Sequence, residues 1–317
     1  MGARSTPRVT VGLPVYNGAP LIEGTIRGLL AQTHEDLSLV ISDNASTDAT
    51  EEICRSLAAS DPRVRYLRQD TNLGAWSNFT FVLEQATTPY FLWAAHDDAR
   101  EPLYLETCLA ALEARPELGI AFTRFQSVLL RQNAVAARKL FPSLQPILSL
   151  EQERRLKAWI LLDEYSQKAN LIYGVWRTEL ARAAMTRFGS YGAMVYKGLD
   201  IALLTYALAR APAVQADQVL FTKQYTDYLL GSTSSLLRPV RSFLRRPVGT
   251  VRRAVEFSRD HSWCLEEALR QAGTWTPGLA RVIRLKRLLY FLPVYRLVTS
   301  QWVVERYLGL RGWTARD

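Results

Sequence analysis

The sequence predicts an α/β fold: a mostly parallel central sheet flanked by helices, followed by a basic helical extension. Three observations lead there. Apolar runs of strand length alternate with amphipathic segments of helix length. The polar clusters between them fall just after the strands. The positive charge is gathered near the C-terminal end.

The elements follow in order. Val9–Val15, whose one polar side chain is Thr10, reads as a buried strand ending at Pro14. Residues 20–31 carry Leu21, Ile22, Ile26, Leu29 and Leu30 at helical spacing. Residues 37–41 form a second short strand, closed by a polar cluster over 42–48. Thr47 or Asp48 is suited to cap a helix reaching residue 59, with Glu51 and Glu52 in its first turn, where the helix dipole favours acids. Val64–Arg68 is a third strand, 72–74 a turn, 75–85 a helix and 90–94 a fourth, aromatic-rich strand. A helix over 102–114 and a fifth strand over 119–125 complete the pattern. Beyond residue 150 the texture is more helical, over 151–162, 178–187 and 200–209. Strands alternating with helices imply βαβ units, and ligands of such sheets bind outside the carboxyl ends of the strands. The clusters at 14–18, 42–48, 72–74 and 96–98 all follow strands and so gather at one edge.

Composition narrows the classes. With 48% apolar and 22% charged residues among 317, the chain is neither disordered nor fibrous. The net charge of +9 leaves nucleic acid, an anionic membrane or a polyanionic substrate open as partners. Its distribution is uneven. Residues 237–317 hold 16 basic and 6 acidic groups, against 23 and 24 in the first 236 residues. Arginines there alternate with Phe243, Leu244, Val248, Trp263, Leu285, Leu288, Leu289, Tyr290, Phe291, Trp302 and Tyr307, the texture of interfacial helices. A helical cap on the body with a solvated basic face gives the same pattern. Cys54, Cys108 and Cys264 are odd in number and widely spaced, which predicts reduced thiols rather than a disulfide framework or zinc site. No run is long enough to span a membrane, and residues 1–8 lack the apolar core of a signal peptide.

Three carboxylate clusters carry candidate chemistry. Asp97-Asp98 after an apolar strand suits a hard divalent cation shared with substrate phosphates, or equally a cap for the helix that follows. Asp43-Asn44-Ala45-Ser46-Thr47-Asp48 offers many short donors and acceptors, for a nucleoside or for a turn and cap. Asp200, after Gly198-Leu199, opens an apolar helix, either as a cap or as a general base presented into a pocket. Neither the dinucleotide fingerprint nor the P-loop is present. His34, His96 and His261 lack metal spacing.

Taken together these clusters resemble the family 2 glycosyltransferases, which have the GT-A fold. The residues that carry the likeness are Pro14-Val15-Tyr16-Asn17, Leu30-Ala31-Gln32-Thr33, Ile41 to Asp48, Asn72-Leu73-Gly74 and Trp93 to Asp98, five motifs in order over residues 9–125. It continues more weakly through Gly174-Val175-Trp176-Arg177 and Gly198-Leu199-Asp200 to about residue 225. The resemblance implies an inverting transferase using a nucleotide-diphosphate sugar, UDP being the commonest nucleotide. Residues 1–236 would be the GT-A domain, with a nucleotide-binding half over about 8–125 and an acceptor half over about 126–236. Residues 237–317 would be the basic amphipathic tail. Pro14, Tyr16, Asn17, Asp43, Asn44, Ser46, Asn72, Gly74, Asn78, His96 and Asp97 would bind the donor. Asp97 and Asp98 would hold Mg²⁺ or Mn²⁺, and Asp200 would be the catalytic base. Gly174, Trp176, Arg177, Lys223 and Tyr225 are the candidates at the acceptor or diphosphate.

Two positions depart from that pattern. Ala95 stands where the metal motif often begins with an Asp, and residues 221–225 lack a His that many relatives carry there. These departures motivate the alternative of a non-catalytic nucleotide-sugar-binding or scaffolding protein. The expected partners are a nucleotide-sugar donor, a glycan or lipid-linked acceptor and an anionic membrane surface met by residues 237–317. Assembly into a homo-oligomer is compatible with the sequence, and nucleic acid is not expected. The expected location is cytoplasmic, peripheral on the inner face of the cell membrane.

Overall fold

The computed structural model describes residues 7–131, 134–162, 168–188, 198–226 and 247–289. Its first half follows the alternation of the sequence. Strands β1 (Val9–Val15), β2 (Leu37–Asp43), β3 (Val64–Arg68) and β4 (Tyr90–Trp93) alternate with helices α1 (Ile22–Leu30), α2 (Thr50–Ser60) and α3 (Ala75–Glu84). β1 pairs in parallel with both β2 and β4, and β2 with β3. β1 is central and buried at every position, which is why its sequence lacks a polar alternation.

In the second half of the sheet the sequence indicates only one strand, over 119–125. After β4 come β5 (Asp98–Arg100), α4 (Tyr104–Ala114), β6 (Ile120–Arg131) and β7 (Ala134–Leu140). They are followed by α5 (Gln145–Leu148), α6 (Gln152–Leu161), a 3₁₀ helix (Lys168–Tyr173), β8 (Val175–Arg177), α7 (Thr178–Phe188) and α8 (Leu199–Arg210). The long strand β9 (Ala213–Thr226) precedes α9 (Pro247–Gln271) and α10 (Pro277–Leu289). The sheet runs β3-β2-β1-β4-β8-β6-β9-β5, with β7 on β6. β8 is antiparallel to β4 and β6, and β5 is antiparallel to β9. The sheet is therefore parallel on one side of β4 and mixed on the other.

Strand alternation feeds two cores. Val9, Val11, Leu13, Tyr90, Leu92 and Ala121 face one cluster with Ile22, Ile26, Cys54 and Leu105 of α1, α2 and α4. Phe91, Trp93, Ile120 and Phe122 face the other, shared with α3, α6, α7 and α8. The basic extension contributes to this second core: Cys264, Leu265, Ala268, Leu269, Leu279, Val282 and Ile283 are all buried in it. Lys286 is also buried, its Nζ donating to the Leu162 carbonyl at 3.0 Å. Arg281, Arg284 and Arg287 stay exposed on the other side of α10. Of the apolar residues assigned to interfacial helices, only Trp263 and Leu285 have described side chains. Leu285 packs on the core and Trp263 is exposed. The cap reading therefore holds for the described part of the extension, and Phe243, Leu244, Tyr290, Phe291, Trp302 and Tyr307 lie outside the described residues. No described helix is long and apolar enough to cross a membrane. All three cysteines are free and buried, and burial pushes each thiol up to about 12.

Candidate active site

Three loops leave the carboxyl edge of the parallel strands and hydrogen-bond to one another. Asn17 N donates to Ser46 Oγ (2.9 Å), and Asn17 Oδ1 accepts from Thr47 N (2.8 Å). Asn44 Nδ2 donates to Asn72 Oδ1 (2.8 Å), while Asn44 Oδ1 accepts from Leu73 N (2.9 Å). Asn17 and Ala45 hold left-handed backbone, at φ 52° and 61°. That conformation costs an L-residue roughly 1–2 kcal/mol, so the interlocking bonds must impose it. Asp48 accepts from Thr50 N and Ala19 N. Burial alone would raise its pKa; the bonds from Thr50 and Ala19 overrule it and hold the carboxyl below the usual range. Tyr16 and Leu73 stand exposed at the mouth of these loops.

Asp43 ends β2 with no exposed side-chain surface. Its Oδ1 accepts from Ser46 N (2.8 Å), and its Oδ2 from Tyr66 Oη (2.7 Å) and Arg68 Nη1 (2.6 Å). Tyr66 and Arg68 were not among the expected site residues. The signal for Arg68 is register: Val15, Asp43 and Arg68 sit side by side on β1, β2 and β3. Asn78 is buried behind this edge, donating to the Ser42 carbonyl and accepting from Ser42 Oγ, so it braces the strands. Pro14 is buried within β1. His96 is half-buried against Gly18, where an added Cβ would lie 2.8 Å from His96 Cδ2.

Asp97 and Asp98 diverge. Asp97 is half-buried, and its carboxylate accepts no hydrogen bond from a described residue. Asp98 begins β5, where its register partner is Lys223 on β9. Lys223 Nζ lies 3.3 and 3.2 Å from its two oxygens, and the Asp98 side chain has no exposed surface. Burial pushes the Asp98 pKa up against the pull of Lys223. Burial works against the Lys223 ammonium, yet the surrounding Tyr173, Asp98 and Asp97 keep it above its ordinary range. Helix α4 starts only at Tyr104, so neither acid caps it. Among the described residues no three His, Cys, Asp or Glu side chains converge as metal ligands. A divalent cation shared with substrate phosphates needs as few as one carboxylate. Asp97 meets that requirement; Asp98 is taken by Lys223.

Asp200 opens α8 beside Gly198, whose φ of 104° only glycine adopts readily. It lines a cleft of about 220 Å³ with Trp76 and Phe79 of α3 and Asn170, Ile172 and Tyr173 of the 3₁₀ helix. Trp76 Nε1 is buried there without a hydrogen-bond partner among the described residues. Tyr173 joins this cleft to the acidic corner, because Lys223 Nζ sits 4.8 Å from the centre of its ring. Tyr225, two residues on, is raised by burial and stabilised by Lys223 in its ionised form. Trp176 and Arg177 do other work. Trp176 is fully buried, edge-on to Trp93, and donates to the Ile172 carbonyl. Arg177 donates to the carbonyls of Leu118 and Leu112. Gly174 lets the chain pass the Ala121 carbonyl, 2.9 Å from where a Cβ would be.

The family model described as "Glycosyl transferase family 2" matches residues 10–185, more than half of the chain. The chain belongs to glycosyl transferase family 2. This family 2 glycosyltransferase is 33% identical over 100 residues to a Rickettsia felis protein named as a glycosyltransferase. That stretch is 32% of this chain and only 16% of the relative's length. Two solved structures are similar in fold. Residues 1–349 of Staphylococcus aureus TarS in complex with UDP give a TM-score of 0.56 at 14% identity, covering 92% of this chain and 90% of that one. A Pyrobaculum calidifontis mannosyltransferase with GDP-mannose and Mn²⁺ gives 0.50 at 18%, covering 99% and 89%. The expected GT-A architecture is thereby borne out.

Proposed function

We propose that this chain is an inverting transferase that moves a sugar from a nucleotide-diphosphate sugar, UDP-linked, to a hydroxyl of a glycan acceptor, lipid-linked or at the cell surface. The observation that carries this reading is the shared cleft. Asp200, the base expected from the resemblance, lines it with two aromatic rings from α3, directly after the loop of Asn72 and Gly74. Tyr16 offers a ring for stacking the nucleobase, and Asp43, held with Tyr66 and Arg68, its polar edge. The acceptor lies against Trp76 and Tyr173. Asp200 takes the acceptor's hydroxyl proton as the oxygen attacks the anomeric carbon. The bond from that carbon to the diphosphate oxygen breaks in line, and the nucleoside diphosphate leaves. Asp97, with the donor's own phosphates, would hold Mg²⁺ or Mn²⁺. Such an ion supplies Lewis-acid charge to the leaving diphosphate.

A thermal-shift panel of nucleoside diphosphates and their sugars, with and without Mn²⁺, tests the donor. A ligand that binds the folded state raises its melting temperature by mass action. One nucleotide class is expected to stand out, and a flat response across UDP, GDP and dTDP overturns the reading. The exposed Arg281, Arg284 and Arg287 support a further part of the proposal, an electrostatic contact with the anionic inner face of the cell membrane. Flotation with anionic liposomes should show binding that falls as salt rises; recovery in the soluble fraction at low salt refutes it.

A further inference from the structure

We propose that the hairpin of β6 and β7 is a membrane contact of its own, seated among the headgroups of an anionic bilayer and separate from the basic face of α10. It turns the open edge of the site toward the lipid surface. The proposal takes from the nucleotide-sugar reading only the position of the site, and the contact itself stands without it.

Topology fixes where the hairpin stands. β4 is parallel to β1, β8 is antiparallel to β4, and β6 is antiparallel to β8. β6 therefore runs in the direction of β1, and its far end lies at the carboxyl edge, where the site loops gather. β8 covers one flank of β6 only at Ile120 and Ala121; from Gln126 onward β7 takes that flank. On the other flank Ser127 and Leu129 pair with Lys223 and Tyr225 of β9. The hairpin thus leaves the sheet level with the acidic corner. β7 has no second neighbour among the described residues, and all seven of its residues are exposed.

Its chemistry fits a lipid surface. Among the described residues the exposed large apolar side chains are Tyr16, Leu73, Leu103, Val135, Leu140 and Trp263, and two of these, Val135 at 46% and Leu140 at 38%, lie on β7. Cross-strand partners share a face, so Val135 stands beside Leu130, Arg138 beside Val128 and Leu140 beside Gln126. One face of the ribbon therefore carries Val135, Arg138 and Leu140 together. Between Glu117 and Glu151 the chain has no acid, while Arg124, Arg131, Arg138 and Lys139 fall within it. Arg124 is answered by Asp217 across the sheet, but nothing acidic lies on the hairpin to answer Arg138 and Lys139. Charged residues alone would guard an open strand edge against pairing with another sheet, but such a guard has no use for exposed Val135 and Leu140. A second copy paired on this edge would double the positive charge with no acid to meet it. An anionic bilayer answers both features, with phosphates for the cations and the acyl boundary for the apolar tips. The open edge sets the depth, since its unpaired N–H and C=O groups need the wet headgroup layer rather than hydrocarbon.

Site-specific fluorescence on the full chain tests this, with phosphatidylcholine vesicles containing or lacking phosphatidylserine as probes. The three native cysteines are buried, so a new surface thiol takes a polarity-sensitive dye selectively. A dye at Val135→Cys should shift to the blue on phosphatidylserine vesicles, while a dye at Glu35→Cys, exposed just before β2 at the opposite edge of the sheet, should not. Arg138→Gln/Lys139→Gln should weaken partitioning into those vesicles by about fivefold for each charge removed. Val135→Ser/Leu140→Ser should weaken it further still at high salt, where the charge contribution is screened. These positions are exposed, so both variants should melt with the wild type. With Arg281, Arg284 and Arg287 all replaced by Gln, the shift at Val135→Cys should persist. Hairpin variants that partition like the wild type overturn the proposal, as does a wild type that binds vesicles with no shift at Val135→Cys. Retention on soluble inorganic polyphosphate without any shift on vesicles also overturns it, in favour of a polyanionic ligand. None of these results bears on the nucleotide panel, which alone decides the donor.

Discussion

The two halves of the sheet are built by different rules. On the β1–β3 side every strand is parallel, and its site loops lock to neighbours through short polar side chains such as Asn17, Asn44 and Asn72. On the β5–β9 side the strands are mixed, and the site depends on charges brought together over long stretches of chain, Asp98 with Lys223 above all. The parallel edge is a preformed cradle, in which many small bonds share the load. The mixed side concentrates its function in a few charged groups. Substitutions on the mixed side should therefore cost far more than those in the cradle.

The largest effect tests the mixed side at its chemistry. Asp200→Asn should lower kcat by about 10²–10⁴-fold, the usual worth of a positioned base, with donor KM nearly unchanged. Initial-rate assays check it, and a variant of full activity would remove Asp200 as base. Next comes the buried ion pair. Lys223→Met should destabilise the fold by about 3–5 kcal/mol in chemical denaturation, because it strands a buried carboxylate. Asp98→Asn/Lys223→Met should recover most of that loss. The Lys223 pKa is raised in the folded state above its ordinary 10.5. Its contribution is therefore fully present at neutral pH and begins to fall only as pH rises beyond 10.5, so on the alkaline side the stability difference between wild type and double variant should start to change only above that value. Gly198→Ala should cost about 1–2 kcal/mol for the left-handed backbone. Its new Cβ would also lie 3.2 Å from His261 Nδ1, so α8 should shift and kcat fall with stability.

The smallest effect is in the cradle. Ala45→Gly relieves a positive φ but frees the unfolded chain, two terms of similar size. Its stability should rise by no more than about 1 kcal/mol. A loss instead would mean that the Ala45 methyl packs in a way its backbone does not reveal.

Much of the parallel half could be read from sequence because a strand buried on both faces is an apolar run and a loop after it is a polar cluster. Val9–Val15 and Val64–Arg68 have the bounds their patterns indicate. The mixed half hid for physical reasons. β9 interleaves Gln215, Asp217, Gln218, Lys223 and Gln224 with its apolar residues, so no continuous run announces it. β5 and β8 are three residues each, too short for any period to show. The pairing of Asp98 with Lys223 is a matter of tertiary register, and an adjacent pair of acids looks the same in sequence whether one is buried or both are free. The extension taught a related lesson. Arginines with interleaved apolar residues read identically for a helix on lipid and a helix on protein, and only the burial of Leu265, Leu269, Leu279 and Ile283 tells them apart. Trp176 and Arg177 matched a motif yet work as packing and bracing.

The contact of α9 with α8 bears on how the protein is made. Helix α8 carries Asp200, and Cys264 and His261 of α9 lie against its first turn at Gly198. A nascent chain that has emerged only as far as β9 has its whole sheet but lacks the wall behind that turn. The first turn of α8, with Asp200, is therefore backed by residues that leave the ribosome only after the whole sheet.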